Sequence, residues 1–201
     1  MDFDLMMDRL RGHYRSGTHK GDPFHVLVRT VISQRTKDQV TDAAAARLLN
    51  KYPTPISLAN ADEDDIDRLI YPAGFHRVKS KQLKAIAREL VEGYDSIVPD
   101  TMDGLLELPL VGRKTANCVL VFAFDKDALP VDTHVHRISN RMGIVSTQTP
   151  ERSEQELKKV VPRKYWKEIN ELLVSHGKTI CRPISPRCGE CFLQDLCPKL
   201  V

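Results

Sequence analysis

Leu108-Pro-Leu-Val-Gly-Arg-Lys-Thr-Ala116 is the stretch on which the reading of this 201-residue chain turns. It joins a short helical segment beginning near Thr101 to a longer one running from Arg113 to about Phe124. Gly112 marks the bend of the hairpin. A glycine there lets the backbone approach a ligand closely, and the N–H groups that open the second helix have no partner inside it and point outward. Such an arrangement grips an anion. On a nucleic acid the anion is a backbone phosphate, a contact that positions a protein without reading base sequence. Arg113 and Lys114 add cations at the same place. Gly-Arg-Lys-Thr has the look of the end of a nucleotide-binding loop, but that motif needs glycine directly before lysine and another five residues earlier. Neither is present, so ATP is not the expected ligand.

Outward from the hairpin the chain is punctuated as helix throughout, with no strand pattern. Asp22-Pro23 reads as an N-cap followed by proline at the first helical position. The run through Phe24, Val26, Leu27, Val28, Val31 and Ile32 is apolar on most sides, which predicts a central, buried helix. Asp38 is the expected cap of the next, with Val40, Ala43, Ala44, Leu48 and Leu49 facing inward, and Gly74 the expected stop of the one carrying Leu69 and Ile70. Leu83, Ile86 and Leu90 mark another stripe. Val135, Ile138 and Met142 keep helical spacing up to Gly143, and Trp166, Ile169, Leu172 and Leu173 do so up to Gly177. About nine or ten helices are expected, in an all-α chain without repeats or low-complexity segments.

With 41% hydrophobic residues the chain can build a core as one large or two small domains. Its longest nearly apolar stretch, Cys118 to Phe124, is far short of the ~20 residues that span a bilayer. The net charge of +3 says little about partners, but its distribution says more. Asp62, Glu63, Asp64, Asp65 and Asp67 suit a solvated helix start, where acid meets the positive end of the dipole. Basic residues gather at His76, Arg77, Lys79, Lys81 and Lys84, at Arg113 and Lys114, and at Arg182 and Arg187. Any one group could be a wet helix face; beside the hairpin they point to phosphate.

Four cysteines near the C-terminus, Cys181, Cys188, Cys191 and Cys197, are spaced Cys-x6-Cys-x2-Cys-x5-Cys. A structural zinc site is usually built from two ligand pairs of close spacing, and only Cys188 and Cys191 form one. Unequal spacers suit a [4Fe–4S] cubane, whose four thiolates reach four corners. Disulfides are the poorer alternative. Met1 to Leu10 carries Asp2, Asp4 and Asp8 where a secretory leader would be uncharged, and cytosolic thiols stay reduced. Cys118, inside the apolar helix, reads as a buried core thiol.

The hairpin, the segment Val131-Asp132-Thr133-His134 some eighteen residues past Lys114, and the cysteine loop together resemble the endonuclease III family, helix-hairpin-helix DNA base-excision glycosylases with an iron–sulfur cluster. The resemblance covers nearly the whole chain, and three motifs in the right order make it specific. It implies two helical domains flanking a DNA-binding cleft: a six-helix bundle at residues 20–126 with the hairpin, and a cluster domain from residues 1–19 and 127–201. It also implies Lys114 as nucleophile and Asp132 as catalytic carboxylate, facing each other at the cleft mouth. Gln34 or Arg35 would meet the orphaned base, and Phe75 or His76 would wedge into the duplex. Leu110, Gly112, Arg113 and Arg187 would contact DNA. The implied activity is excision of oxidised or otherwise damaged pyrimidines, then a nick by β-elimination, by a monomer acting in the cytoplasm at the nucleoid on duplexes with damaged bases or abasic sites. In two places the chain departs from the family pattern: Leu110 replaces the first glycine of the usual hairpin, and Arg35 replaces a glutamine.

The residues support that chemistry on their own terms. An amine attacks the sugar C1′ only when unprotonated, which partial burial and the positive end of the helix opening at Arg113 both favour. Asp132 precedes a helix and is expected to cap it, its charge available to stabilise the cation that develops as the glycosidic bond breaks. His134 and His136 are read as a hydrogen-bonding and a packing residue on different helix faces. Two rival readings are a monofunctional mismatch glycosylase that activates water, for which Lys114 is the wrong residue, and a non-catalytic iron–sulfur electron carrier or DNA-binding module. A carrier has no use for a phosphate-gripping hairpin tipped with lysine.

Overall fold

The computed structural model describes residues 1–15 and 21–200. Among them are eleven α-helices, two short 3-10 turns and no strand. No helix among the described residues is long and apolar enough to cross a membrane. By its contacts the chain divides into two compact units, His19–Asp125 and Met1–Thr18 with Lys126–Val201. A boundary expected near residue 20 falls outside the described residues.

The first unit, which carries the hairpin, contains α2 (Pro23–Ser33), α3 (Asp38–Lys51), α4 (Pro55–Ala59), α5 (Glu63–Ile70), α6 (His76–Gly93), α7 (Met102–Glu107) and α8 (Arg113–Phe122). α2 starts where the sequence marks it. The Asp22 carboxylate accepts from His25 N at 3.0 Å, with Pro23 at the first helical position. Phe24, Leu27, Val28, Val31 and Ile32 are buried, and the helix packs against α3, α6 and α8. Burying each such side chain contributes about 1.5–3 kcal/mol.

Several boundaries and faces differ from expectation, each for a physical reason. α3 buries Thr41, Ala44, Ala45 and Leu48, one strict i, i+3, i+4, i+7 face, and Ala43 lies off it in solvent. Asp38 is the first helical residue rather than the cap; Lys37 holds that position with no side-chain bond. α5 is capped by Asp62, whose carboxylate accepts from Asp64 N and Asp65 N, and it ends at Ile70 rather than running to Gly74. Pro72 explains the early stop, since the residue before a proline is pushed out of the helical region.

The second unit contains α1 (Phe3–His13), α9 (Thr133–Arg141), α10 (Pro150–Val160) and α11 (Trp166–Thr179), followed by the cysteine segment. Its core gathers Met6, Leu10, Val135, Ile138, Leu157, Leu172 and Leu193. Gly143, at φ +65°, ends the α9 segment as expected. Gly177 does not end α11, which continues to Thr179. A Cβ at Gly177 would lie 2.4 Å from His134 Nδ1, so this glycine serves the close approach of α9 and α11.

Candidate active site and cluster loop

The hairpin joins α7 to α8, and its left-handed residue is not the glycine. Leu110 takes φ +60°, whereas Gly112 has φ −92° and caps α8 in extended backbone. A left-handed non-glycine residue costs about 1–2 kcal/mol. It is held by Gln82 on α6, a buried side chain whose Nε2 donates to Leu110 O at 2.8 Å. What glycine contributes at 112 is room: an added Cβ would meet nothing within 4 Å, leaving clear space ahead of the first N–H groups of α8. Leu110 is 71% exposed at the tip, and Arg113 and Lys114 are half-buried in the first turn of α8.

Two further loops of this unit carry candidate DNA contacts, and they interlock. Gly74 is pressed against the Gln34–Thr36 turn so closely that a Cβ would lie 2.4 Å from Arg35 O, which is why glycine is needed there. Gly74 N donates to Thr36 Oγ1 at 3.1 Å. Arg35 (φ +50°) and Phe75 (φ +57°) are both left-handed, and the Arg35 guanidinium lies over the Phe75 ring at 5.4 Å. Phe75 is 59% exposed, so its ring stands in solvent and is not part of the core. His76 is engaged elsewhere, with Nδ1 at 2.5 Å from Asp67 Oδ1 and its ring edge-on to Tyr71. Gln34 Nε2 donates to Thr115 Oγ1 at 3.3 Å, tying this loop to α8 one residue beyond Lys114.

Lys79 departs from the basic, solvated helix face expected of it. It is 3% exposed, and Nζ donates to Ile32 O (2.6 Å), Gln34 O (2.5 Å) and Thr36 Oγ1 (2.9 Å).

In the second unit Asp132 caps α9, its Oδ1 accepting from His134 N and Val135 N, each at 2.9 Å. These two donors orient the carboxylate. His134 Nδ1 is 3.1 Å from Arg137 Nη2, and burial pushes its imidazole down. His136 bonds Ser153 Oγ at 2.6 Å, so it too is a hydrogen-bonding residue rather than a packing one.

The four loop cysteines are free and half-buried, and all four line one cavity of about 50 Å³ with Ile138, His176 and Leu193. Burial raises the Cys191 thiol, and so do the neighbouring sulfurs of Cys181, Cys197 and Cys188, so the four share one space. Among the described residues no three His, Cys, Asp or Glu gather tightly enough to hold a single ion. A cubane asks for something different, one thiolate at each of four irons, and an apolar-lined cavity with four free thiols fits it. Two residues of α9 that sequence reasoning missed organise the loop. Arg137 Nη2 donates to Cys181 O at 2.9 Å, and Arg141 donates to Arg182 O at 2.7 Å, to Pro183 O at 2.9 Å and to Cys181 Sγ at 3.6 Å. The loop lies about forty residues further along the chain, so no local signal marks these arginines as its partners. Arg187 is exposed and makes a loose ion pair with Glu190 at 3.7 Å. Cys118 is buried in α8.

Comparison with known proteins defines the class first. Residues 28–163 match the family model of the HhH-GPD superfamily base excision DNA repair proteins, and residues 181–197 match the iron–sulfur binding domain of endonuclease III. The chain is 51% identical over 176 residues to endonuclease III of Thermotoga maritima, covering 88% of this chain and 83% of that one. It is 43% identical to the chloroplastic endonuclease III homolog 2 of Arabidopsis thaliana, matching 88% of this chain but only 48% of that longer protein. A solved structure of a trapped endonuclease III–DNA covalent intermediate superimposes with a TM-score of 0.89 at 30% identity, covering 98% of this chain and 92% of that one. The chain belongs to the endonuclease III family. It is a DNA-binding base-excision repair enzyme, a DNA glycosylase and AP lyase, and its cofactor is a [4Fe–4S] cluster.

Proposed function

We propose that Lys114 is the nucleophile, that Asp132 is the carboxylate that serves it, and that the substrates are damaged pyrimidines and abasic sites in duplex DNA. The observation that carries this reading is the setting of Lys114. It stands half-buried in the first turn of α8, behind an open helix N-terminus suited to a phosphate. The target nucleotide must leave the stack before its glycosidic bond can be reached. The Lys114 amine then forms a bond to C1′ as the C1′–N bond breaks and the base departs. Loss of the amine proton and opening of the sugar ring give an imine. Removal of a 2′ proton expels the 3′ phosphate and nicks the strand, and water releases Lys114. The Asp132 charge stabilises the developing sugar cation and assists deprotonation of the amine.

The hairpin residues Leu110, Gly112 and Arg113 are assigned to the backbone of the damaged strand. Gln34 and Arg35 are assigned to the orphaned base, Phe75 to the gap in the stack, and Arg187 to a phosphate beside the cluster loop. His76 is a weaker assignment because Asp67 and Tyr71 already engage it. The cluster, when bound, holds the cysteine loop in shape. One chain carries every assigned residue, which supports action as a monomer, and a DNA substrate is consistent with action in the cytoplasm at the nucleoid. The test is borohydride trapping. The parent protein should be welded to abasic DNA, and Lys114→Gln should lose both trapping and nicking while still binding. Undiminished trapping by that variant would move the chemistry to another amine.

A further inference from the structure

Lys79 is buried beneath two of the loops assigned to DNA, and its surroundings explain why a lysine is kept there. A buried ammonium is costly unless each of its protons finds an acceptor. Here all three do: Ile32 O, Gln34 O and Thr36 Oγ1, at 2.5 to 2.9 Å. Thr36 Oγ1 is the node of the network. It donates to Gln34 O at 3.1 Å, accepts from Lys79, and accepts from Gly74 N at 3.1 Å. Lys79 N in turn donates to Phe75 O at 3.0 Å. One side chain and one hydroxyl therefore fasten both loops, whose tips, Arg35 and Phe75, each take a left-handed backbone that surrounding structure must enforce.

We propose that Lys79 is a positioning residue for base excision: with Thr36 it locks the Gln34–Arg35 and Gly74–Phe75 turns into one rigid element, so that Gln34, Arg35 and Phe75 meet the orphaned base and the opened stack together. The proposal rests on the assignment of those three residues to DNA. Lys79 takes no part in the bond-making at Lys114. Its effect falls on duplex engagement and not on an abasic sugar in a single strand, where no partner base needs to be met.

The test uses the holoprotein and a duplex with a tetrahydrofuran site opposite 2-aminopurine, whose fluorescence reports the stacking of the orphaned base. Lys79→Met and Thr36→Val should each lose at least half of the fluorescence change at saturation and bind this duplex about tenfold more weakly, the scale of one lost charge-assisted hydrogen bond. Thr36→Ser, which keeps the oxygen, should behave like the parent. Borohydride trapping on a single-stranded abasic oligonucleotide should stay within about twofold of the parent in all three. Thr36→Val carries the test if Lys79→Met fails to fold. A parental fluorescence change in either folded variant overturns the proposal, as does an equal loss of single-strand trapping, which would make Lys79 a support of the whole unit. Phe75→Ala and Gln34→Ala check the underlying assignment separately. If they leave the signal intact, that assignment fails; if they abolish it while Lys79→Met does not, only the role of Lys79 fails.

Discussion

At the scale of single residues, the site uses ordinary side chains in settings that sharpen one property of each. Asp132 is the clearest case, a helix cap with two backbone donors at 2.9 Å whose charge is also assigned a role at the sugar. Asparagine caps nearly as well, so Asp132→Asn should change stability by less than about 1 kcal/mol. The same change removes the charge and should lower turnover by about 10²–10³-fold, the range seen when one transition-state electrostatic partner is deleted. Single-turnover kinetics and a thermal melt on one sample separate the two effects. Leu110 offers the converse test. Glycine at 110 would relieve a left-handed cost of about 1–2 kcal/mol and give back about 0.5–1 kcal/mol in backbone entropy. With so exposed a side chain little packing is lost, so Leu110→Gly should melt at or above the parent temperature while binding duplex DNA less tightly. A clear drop in melting temperature would mean that the leucine packs more than its exposure shows.

At the scale of elements, α6 is the organiser of the first unit, although it carries no proposed catalytic group. Phe75, Lys79 and Gln82 are spaced i, i+4, i+7 on one face. They serve respectively as the start of the helix, the anchor of the Gln34–Thr36 turn and the support of the hairpin. α5 is fixed to α3 by a different device. Asp65 accepts from Lys51 Nζ and Tyr52 OH, each at 2.7 Å, and from Arg68, and these bonds bring its carboxyl down from 3.8 to about 2. A carboxyl lowered by folding contributes stability that is full above its unfolded value and is lost as pH falls through the folded one. The stability gap between the parent and Asp65→Asn should therefore be constant above about pH 5 and close between pH 3.8 and about 2. Urea midpoints of both proteins in the same buffers read this directly, and a gap that widens in acid would contradict the assignment.

At the scale of the whole molecule, the two units depend on different sources of order. The first is helices on helices throughout. The second ends in a segment, residues 181–200, with one 3-10 turn and no longer helix, held by Arg137, Arg141 and the four sulfurs around a shared cavity. Removing the cluster leaves four thiols crowded together and should lower the melting temperature of the holoprotein. Amide exchange should rise in residues 181–200 and in neighbouring α9 and α11, with α2 to α6 unchanged. Uniform exchange in both units would show that the cluster stabilises the entire chain. The sequence by itself was enough for the helical class, the caps at Asp22 and Asp132, the acidic start of α5, the buried course of α2, the hairpin and the four-cysteine loop. Capping, periodicity and cysteine spacing are relations among residues near one another in the chain, so a linear reading reaches them. It could not reach the burial of Lys79, because charge on a helix reads as solvent-facing until three oxygens more than forty residues away are brought to it. Nor could it tell that the left-handed turn falls on Leu110 with Gln82 beneath it, that Gly74 and Gly177 are glycines for the sake of a neighbouring segment, or that Arg141 reaches the cysteine loop. Those were decided only by the tertiary structure, because periodicity says which face of a helix turns inward but not which distant backbone it will meet there.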